Sequence, residues 1–457
     1  MIPVSLKEFS SHSGPFKLKG ISGDLIFRNI STDSRSVKNG DLFFAIPGEK
    51  YDGHDFITSR LSKKCSGIVV SSEWKNRGGI TGPFIITKDV NSALLGIAGL
   101  IREKGNFRTV AITGSNGKTT AKEMTAFLLS TDERCLKTPG NYNNRIGVPL
   151  TFASAGGNEK FAVIEMGANH VGEIGELSKI VKPDTSVITS IGESHIEYFG
   201  SVRNIIKAKL EITAGLRKGG ALVYNADSEG LASSVKGPYR KVSFGIENKS
   251  AFHARNISIG RDGCPRFSLD GIKITLKAVG AHSIYNALAS IAAAVESGMD
   301  RRDAAEKIET FRMKVGGRLE TIGLKGAVII NDSYNANPTS MRSALNTLSV
   351  MNAGRRIAIL GDMFELGDFS ERFHHSVGVY AAGIRPDMLF CVGKAAAGIA
   401  KGAKDGGMPS GSVFTYLKKK SLAKKLASLL EKKDKVLIKG SRGMELEKII
   451  EYMKGSV

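Results

Sequence analysis

A glycine-rich segment that follows a largely apolar run constrains this chain more than any other feature. Residues 113–120 read Thr-Gly-Ser-Asn-Gly-Lys-Thr-Thr and come directly after residues 109–112. This order predicts a strand, a tight turn, and a helix that Lys118 and Thr119 open and residues 121–129 continue. Such a turn directs backbone N–H groups at one point, and the helix adds the positive end of its dipole. Because Lys118 can reach terminal phosphates and Thr119 can offer its hydroxyl to Mg²⁺, the segment predicts binding of a nucleoside triphosphate.

The glycine spacing departs from the strict phosphate-loop pattern, which requires a glycine where Ile112 stands. The glycines here are Gly114 and Gly117, so the loop is a shortened variant. The alternative is a glycine-rich turn that binds no ligand. Since strand, turn, Lys-Thr and helix follow one another in the expected order, we favour phosphate binding.

The chain is strongly basic, and two interpretations of its charge are open. Its 457 residues suffice for about two to four domains, and its net charge is +21. Clustered lysines can bind nucleic acid, or they can cover a solvated face while a local excess attracts an anionic substrate. The lysines of residues 417–425 and 431–439 follow a helical pattern with leucines and lack interleaved aromatic residues. We therefore favour a solvated face and a small anionic substrate, and we expect no nucleic-acid partner.

Targeting signals and cysteine usage both favour the cytoplasm. No run approaches the about 18 apolar residues of a membrane span, and the first residues lack a basic segment followed by an apolar one. The cysteines are far apart and form no metal-binding or redox pair. We expect a reduced cytoplasmic protein without a membrane span.

Alternating strand and helix patterns predict an α/β fold with parallel sheets that are covered on both faces. The patterns fall into three groups. In the first, strands are predicted at residues 41–46, 67–70 and 84–86, and helices at 54–64 and 91–103. In the second, strands are predicted at 108–112, 161–165, 185–190 and 221–225, helices at 202–214 and 284–297, and a small antiparallel addition at 242–279. In the third, which follows a glycine-rich boundary at 315–318, strands are predicted at 327–331, 356–360, 388–392 and 435–438.

Polar side chains follow two of the central strands. Glu165 ends the strand at 161–165, and a carboxylate at that edge of a parallel sheet, beside a phosphate loop, suits Mg²⁺. The alternative is a surface glutamate at a strand end. His195 follows the next strand, and a metal-ligand role and a structural role are equally supported for it.

Three further positions leave functional and structural interpretations open. Lys209 lies on the predicted helix at 202–214, where its position alone favours a solvated lysine. Asp332 opens the polar segment 332–338, which suits binding of a polar ligand as well as it suits a helix N-cap and turn. The turn at 361–367 has the same ambiguity.

Taken together, these residues resemble the Mur ligases, the ATP-dependent enzymes that build the peptidoglycan stem peptide, over nearly the whole chain. The phosphate loop at 113–120 is similar to that family's short form. The other segments that carry the resemblance are 32–35, 40–46, 52–56, 140–149, 165–169, 334–341, 360–363 and 439–442.

The resemblance implies three domains: a small N-terminal α/β domain at 1–84 that binds the uridine diphosphate of the substrate, a central ATP-binding domain at 85–316 with a phosphate loop and a parallel sheet, and a C-terminal Rossmann-like domain at 317–457 that binds the incoming dipeptide. It also implies ATP and Mg²⁺ as cofactors, and we expect a monomer.

The resemblance also implies a role for each matching position. The ATP-binding set is Gly114, Ser115, Asn116, Gly117, Lys118, Thr119, Thr120, Asn286, Arg318 and Asp332. The metal-binding set is Thr119, Glu165, His195 and Lys209, with Lys209 carbamylated as in several members, and Lys118 joins Glu165, His195 and Lys209 as catalytic. The substrate-binding set is Ser34, Arg35, Asn141, Asn143, Asn144, Tyr334, Asn335 and Asn337.

Within the family, the motifs at 165–169, 334–341, 360–363 and 439–442 are most similar to the members that join D-alanyl-D-alanine to UDP-N-acetylmuramoyl-tripeptide through an acyl phosphate. One departure is His282-Ser283, where His-Asn is frequent in the family. The alternatives are a member that adds a single amino acid and, in another class, a nucleic-acid-stimulated ATPase. A nucleotide-binding scaffold without catalysis conflicts with the retained Glu165, His195 and Lys209.

Overall fold

The computed structural model describes residues 1–21, 24–48, 50–76, 78–130, 134–313 and 315–455. The expected α/β architecture in three parts, each with its own largely parallel sheet, is confirmed. Within the described ranges, no helix combines the length and the apolar character that crossing a membrane requires.

The N-terminal region forms a mainly parallel sheet and a short antiparallel pair. Its elements are β1 (Val4–Ser5), α1 (Leu6–Ser13), β2 (Lys17–Lys19), β3 (Ile26–Phe27), β4 (Ile30–Ser31), β5 (Leu42–Phe44), α2 (Ser59–Lys64), β6 (Gly67–Ser71), β7 (Phe84–Thr87) and α3 (Val90–Lys104). The sheet has the order β2-β7-β6-β5-β4, in which only the β2–β7 pair is antiparallel, and β1 pairs with β3.

The helix predicted over residues 54–64 is interrupted. A 3₁₀ turn covers Gly53–Phe56, and α2 begins only at Ser59. The reason is a local cap: Thr58 has an extended backbone, and its Oγ1 accepts a hydrogen bond of 3.1 Å from the backbone N–H of Leu61. Such a cap fixes where a helix starts.

The central region holds a parallel sheet, and the phosphate loop follows one of its interior strands. Its strands are β8 (Arg108–Thr113), β9 (Cys135–Lys137), β10 (Phe161–Glu165), β11 (Thr185–Ile188), β12 (Ala221–Asn225), β13 (Arg240–Gly245) and β14 (Phe252–His253), in the order β14-β13-β12-β11-β8-β10-β9. Along β8, Val110 and Ile112 join the core on one face of the sheet, and Ala111 joins the core on the other. This double burial explains the uninterrupted apolar pattern.

The antiparallel addition predicted over residues 242–279 is correct only in part. Strands β15 (Arg255–Ile259), β16 (Pro265–Leu269) and β17 (Ile272–Thr275) do form an antiparallel sheet. Residues 242–245, however, belong to β13, which pairs in parallel with β12. Phe244 is buried in the core of the central sheet, and this burial places the strand there.

Helices cover both faces of the central sheet. They are α4 (Lys118–Leu129), α5 (Gly147–Ala153), α6 (Glu173–Val181), α7 (Ile196–Phe199), α8 (Val202–Leu210), α9 (Leu231–Ser234), α10 (His282–Glu296) and α11 (Arg301–Ile308). The alanine-rich α10 packs closely on α4. A hydrogen bond of 3.1 Å from Ser290 Oγ to the Ala121 carbonyl joins the two helices. The helix predicted over 202–214 ends at Leu210, and a 3₁₀ turn follows at Glu211–Thr213.

The C-terminal region contains another mainly parallel sheet. Its elements are β18 (Glu320–Leu324), β19 (Ala327–Asp332), α12 (Pro338–Val350), β20 (Arg356–Gly361), α13 (Ser370–Ile384), β21 (Met388–Val392), α14 (Ala397–Asp405), β22 (Val413–Tyr416), α15 (Lys419–Leu429), β23 (Lys435–Lys439) and α16 (Glu447–Lys454). The order is β18-β19-β23-β20-β21-β22, with β18 antiparallel to β19. Because the last strand inserts between β19 and β20, the register pairs Asp332 with Lys439.

The lysine-rich stretch at 417–439 is a solvated face only in its first half. On α15, Leu422 and Leu426 are buried, whereas Lys420 and Lys424 are exposed. The helical pattern expected for 431–439 is wrong, whereas the strand predicted at 435–438 is confirmed, because this segment contains strand β23. Lys439 at the end of that strand is buried, since it is paired with Asp332.

Candidate active site

A cleft of about 920 Å³ lies where the three regions meet. Most of the predicted site residues line it: Ser115, Asn116, Gly117, Lys118, Thr119, Thr120, Asn141, Asn143, Asn144, Glu165, His195, Asn286, Arg318, Asp332, Tyr334, Asn335 and Asn337. Gly114, Lys209, Ser34 and Arg35 are not among its lining residues. The cleft thus unites side chains that are more than three hundred positions apart in the sequence, as Asn141 and Arg442 are.

The phosphate loop has a shape that only glycine allows at two positions. Gly114 and Gly117 have positive φ angles of 149° and 81°. A Cβ at Gly114 would overlap Thr189 Oγ1, and a Cβ at Gly117 would overlap Asn286 Oδ1. Helix α4 then begins at Lys118 without a side-chain cap, so its first amides are available to an anion.

The loop amides divide into two groups. The N–H of Ser115 donates to the Ser190 carbonyl at 2.8 Å, and the N–H of Asn116 donates to Ser190 Oγ at 2.9 Å. These two bonds fix the loop against the end of β11. The amides at residues 117–120 are therefore the ones best placed to meet a phosphate group, at the positive end of the α4 dipole.

Lys118 turns back over its own loop. Its Nζ donates a hydrogen bond of 2.7 Å to the Gly114 carbonyl. Burial lowers the pKa of Lys118, while the nearby Glu165 carboxylate acts in the opposite direction. A desolvated cation in this position can pair strongly with phosphate oxygens.

Glu165, at the end of β10, lines the cleft. Oε1 accepts a hydrogen bond of 2.8 Å from Asn143 Nδ2, whereas Oε2 is buried without a hydrogen-bond partner among the described residues. Thr119 is buried at the start of α4 and lines the same cleft. A carboxylate oxygen and a hydroxyl fit a hard cation such as Mg²⁺, which retains waters and takes phosphate oxygens as further ligands.

The described residues contain no group of three or more His, Cys, Asp or Glu side chains placed to hold a metal ion. The protein side chains alone therefore do not form a closed cage in the part of the chain that the structure covers. A Mg²⁺ site here would depend on the nucleotide phosphates, as Mg²⁺ sites in phosphoryl-transfer enzymes usually do.

His195 lies at the mouth of the loop after β11, in a left-handed conformation with φ 54°. Its Nδ1 lies 2.6 Å from Oε2 of Glu365, which belongs to the C-terminal region. The loop itself is tied to the phosphate loop, because Ser115 Oγ donates to the Gly192 carbonyl at 2.9 Å. The structure thus places His195 beside the phosphate loop and against another region of the chain.

The position of Lys209 in the sequence alone favours a solvated lysine, and the structure shows that this prediction is wrong. Lys209 is 1% exposed on α8, and its Nζ lies 5.6 Å from the centre of the Phe199 ring. Burial, together with the charge of Lys118, lowers the pKa of Lys209 to about 7. A buried lysine with this pKa is largely a neutral amine above pH 7.

The C-terminal side of the cleft is a network around Asp332. Lys439 Nζ lies 2.5 Å from Asp332 Oδ2 and donates to the Asn335 carbonyl at 2.9 Å. Arg318 stacks on Tyr334 with 3.8 Å between its Cζ and the ring centre. The Arg318 Nε is buried without a hydrogen-bond partner among the described residues, so this donor is available to a ligand.

Asn337 serves a structural role and also faces the phosphate loop. Its Oδ1 accepts from the Ser340 N–H at 2.8 Å and so caps α12, which is the turn-and-cap alternative left open by the sequence. Its Nδ2 donates to Asn116 Oδ1 at 2.9 Å. This second bond joins the C-terminal region to the phosphate loop.

The asparagines at 141–144 have different partners. Asn144 Oδ1 accepts from the N–H groups of Ile146 and Gly147 and shapes the start of α5. Asn143 reaches Glu165, as described above, and Asn141 lines the cleft. These positions are therefore placed to shape the side of the cleft around Glu165 as well as to meet a substrate.

Ser34 and Arg35 lie in an exposed turn of the N-terminal region. Arg35 donates from Nη2 to Asp33 Oδ2 at 2.7 Å, and this pairing lowers the pKa of Asp33 to about 2. Arg35 is therefore held by its own turn and is not among the residues that line the cleft.

Sequence reasoning assigned no role to several residues of the cleft. Lys439 was part of a recognised motif, but its pairing with Asp332 depends on strand insertion. His282 opens α10, its Nδ1 is buried without a partner among the described residues, and burial lowers the pKa of its imidazole. Tyr285 Oη donates to Asp227 Oδ2 at 3.0 Å. The sequence feature that points to His282 and Tyr285 is that they lie on the same helix as Asn286, for which the resemblance implies a role in ATP binding.

Models of the Mur ligase family match most of the chain. The catalytic-domain model matches residues 27–95, the middle-domain model matches 112–294, and the glutamate-ligase-domain model matches 317–442.

Individual relatives match over nearly the whole chain. The UDP-N-acetylmuramoyl-tripeptide–D-alanyl-D-alanine ligase of Bacillus subtilis is 36% identical over 429 residues, covering 93% of each chain. A crystal structure of MurF from Acinetobacter baumannii superposes with a TM-score of 0.87 at 28% identity, covering 99% of each chain. The crystal structure of MurF from Thermotoga maritima in complex with ADP has a TM-score of 0.83 at 26% identity and covers 94% of this chain and 97% of that one.

Proposed function

Because this chain belongs to the Mur ligase family, we propose that it joins D-alanyl-D-alanine to UDP-N-acetylmuramoyl-tripeptide and converts ATP to ADP and phosphate. The observation that carries the proposal is its similarity, over nearly its whole length, to ligases named for this reaction. The product is UDP-N-acetylmuramoyl-pentapeptide, a precursor of peptidoglycan. The cleft between three regions suits a reaction with three substrates.

The chemistry follows from the poor reactivity of a carboxylate. The terminal carboxylate of the tripeptide attacks the γ-phosphorus of ATP, the bond to ADP breaks, and an acyl phosphate forms. The amine of the dipeptide then attacks the acyl carbon, gives a tetrahedral oxyanion and loses a proton, and phosphate leaves as the amide forms. Water must be excluded meanwhile, because it would hydrolyse the acyl phosphate.

The residues of the phosphate loop supply electrostatic stabilisation in this proposal. The amides at 117–120 and the Lys118 ammonium hold the β- and γ-phosphates and offset the charge that develops during transfer. Thr119 and Glu165 would hold one Mg²⁺ and His195 a second, and these ions would neutralise phosphate charge. The free Oε2 of Glu165 supports the first assignment.

Lys209 in this proposal carries a carbamate. Its neutral amine attacks carbon dioxide, a nitrogen–carbon bond forms while one carbon–oxygen π bond opens onto oxygen, and a proton leaves the nitrogen to solvent, so a neutral amine becomes an anionic carbamate. The lowered pKa of Lys209, caused by its burial and by Lys118, provides the neutral amine that this step requires. The new anion would support a metal ion beside Lys118 and Glu165.

The division of labour among domains is also part of the proposal. Residues 1–84 bind the uridine diphosphate, with Ser34 and Arg35 near it, residues 85–316 bind ATP, and residues 317–457 bind the dipeptide through Tyr334, Asn335 and Asn337. Asn286, Arg318 and Asp332 would contact the nucleotide, and the unpartnered Arg318 Nε supports this. We also propose a cytoplasmic monomer, since ATP and nucleotide-linked precursors are cytoplasmic compounds.

A ligation assay tests the proposed function. Purified protein is given ATP, Mg²⁺, UDP-N-acetylmuramoyl-tripeptide and D-alanyl-D-alanine, and phosphate release and the mass of the product are measured. Matched reactions replace the dipeptide by a diamino acid, with UDP-N-acetylmuramoyl-dipeptide as acceptor, or add DNA or RNA. Phosphate release that depends on the diamino acid or on nucleic acid, without pentapeptide product, would contradict the proposal.

A further inference from the structure

The turn after β20 is a built structure that the proposed function does not use. Asp362 accepts a hydrogen bond of 2.7 Å from the Ala396 N–H, and the Phe364 N–H donates to Ser441 Oγ at 2.8 Å. The Met363 N–H donates to His374 Nε2 at 2.9 Å. These bonds fix the turn to the C-terminal region, so the next residue, Glu365, has a defined position.

Glu365 leaves the C-terminal region and touches the central one. Its backbone is left-handed, with φ 61°, and its carbonyl accepts from the Glu197 N–H at 3.2 Å. Its Oε2 lies 2.6 Å from His195 Nδ1. A Cβ at Gly367 would lie 3.1 Å from Glu197 Cγ, so the two segments are closely packed.

The carboxylate of Glu365 lies against one of the two imidazole nitrogens, Nδ1, at 2.6 Å, although the pair is not aligned as a hydrogen bond among the described residues. A histidine that binds a metal ion through one nitrogen usually presents its other N–H to a carboxylate or carbonyl, and this partner fixes the tautomer and the ring orientation. His195 also has a left-handed backbone with φ 54°, and it is the N-cap residue of the short helix α7. A carboxylate against Nδ1 would leave Nε2 to face the phosphate side of the cleft.

We propose that Glu365 is a positioning residue for His195, and that the metal site is therefore complete only when the C-terminal region is docked on the central one. The inference rests on the proposed role of His195 as a ligand of Mg²⁺. It links the region that binds the dipeptide to the metal ions that assist phosphoryl transfer, so that a protein with a displaced C-terminal region holds the second metal ion weakly.

The test measures metal binding rather than turnover. Mn²⁺ is titrated into the full-length protein saturated with ADP, and free Mn²⁺ is followed by electron paramagnetic resonance. Glu365→Met keeps the length of the side chain but removes its acceptors, and it should weaken binding of the second Mn²⁺ about 10- to 100-fold while the first binds as in the wild type. Glu365→Gln retains one acceptor oxygen and should lose less of the Mn²⁺ affinity than Glu365→Met. ADP affinity without metal should stay unchanged in both variants.

The matched control is another histidine–carboxylate pair of the same region. His375 Nε2 lies 2.9 Å from Asp405 Oδ2 outside the cleft, so Asp405→Asn should leave Mn²⁺ binding as in the wild type. Glu365→Ala provides the same readout if Glu365→Met fails to fold. Mn²⁺ affinity within about twofold of the wild type in these Glu365 variants would overturn the inference.

Two further measurements separate this inference from the proposed function. His195→Ala should weaken Mn²⁺ binding at least as much as Glu365→Met. If His195→Ala has no effect, the proposed ligand role of His195 fails, and the role of Glu365 fails with it. If His195→Ala weakens binding while the wild type forms pentapeptide and Glu365→Met binds Mn²⁺ normally, only the inference about Glu365 is wrong.

Discussion

The phosphate loop between β8 and α4 takes its shape largely from consecutive residues, whereas the segment that faces it after β19 is held by residues far away in the chain. Gly114 and Gly117 adopt backbone angles that other residues rarely adopt, and Lys118 bonds to its own loop at Gly114. Asp332, by contrast, is paired with Lys439, 107 positions later. The two walls of one cleft are thus specified in different ways.

The two walls of the cleft depend on different elements of the fold for their shape. The loop needs the strand before it, the helix after it and the neighbouring loop at Ser190, and all three belong to the central region. The C-terminal wall needs β23 to insert between β19 and β20, and it needs its region to dock so that Asn337 meets Asn116. Changes in the loop should therefore affect chemistry directly, and changes in the C-terminal wall should affect how the walls come together.

The largest effect is expected from Lys118→Ala in the loop. Loss of its charge from the phosphates should lower kcat/KM on the order of 10²-fold or more. Burial lowers the pKa of Lys118, which means that burial disfavours its charged form in the folded state, so loss of the charge should not unfold the protein and circular dichroism should show an intact fold. Steady-state ligation kinetics give the measurement, with Lys179→Ala, at an exposed lysine on α6, as the control. A folded Lys118→Ala with nearly normal turnover would show that the phosphate loop is wrongly assigned.

Lys209→Ala should produce the next largest loss, about 10- to 100-fold, because it removes the anion proposed to support a metal ion. Acetate or formate should partly restore the rate. The pKa of Lys209 is about 7 and thus below that of a free lysine, so the neutral amine predominates above pH 7. In buffers depleted of carbon dioxide, added bicarbonate should therefore activate the wild type more at pH 8 than at pH 6.

Full activity of Lys209→Ala without added acid would contradict the carbamate. So would a wild-type enzyme whose mass, measured under native conditions, never includes carbon dioxide. Lys207→Ala, two residues earlier on α8 at an exposed position, is the matched control for general effects on the helix.

A smaller effect is expected at the contact between the walls. Asn337→Ser keeps a side chain that can cap α12 but removes the bond to Asn116, so it should raise the KM for D-alanyl-D-alanine or lower kcat by about twofold to tenfold. Asn337→Ala also removes the cap and should reduce the free energy of unfolding by about 1 kcal/mol, measured by urea titration. The double variant Asn116→Ala with Asn337→Ser should lose no more ligation activity than the more severe of the two single variants. Additive losses would mean that the two amides act independently.

The same difference between local and distant contacts determines which parts of the structure the sequence predicts. Strands such as β8 and β10 are recognisable because burial on both faces gives continuous apolar runs, and the loop is recognisable because its glycines, lysine and threonine are adjacent. The burial of Lys209 was not predictable from α8, since it depends on Phe199 and on neighbours from other elements. The partners of Lys439 and Glu365 depend on strand insertion and docking, for which local spacing carries no signal.

The smallest effect is expected at Arg35, where a local pattern lies outside the shared cleft. Arg35 is exposed and paired with Asp33 in its own turn, so Arg35→Ala should raise the KM for the nucleotide-linked substrate only about twofold to fivefold and leave the KM for ATP unchanged. Arg302→Ala removes another exposed arginine that is paired with a carboxylate close in sequence, Glu306, and should change neither constant. Initial rates at varied concentrations of each substrate separate the two constants. A raised KM for ATP in Arg35→Ala, with the other constant unchanged, would contradict the assignment of residues 1–84 to the uridine diphosphate. A loss as large as that of Lys118→Ala would instead show that this turn reaches the cleft during catalysis, so that both local and distant segments form its walls.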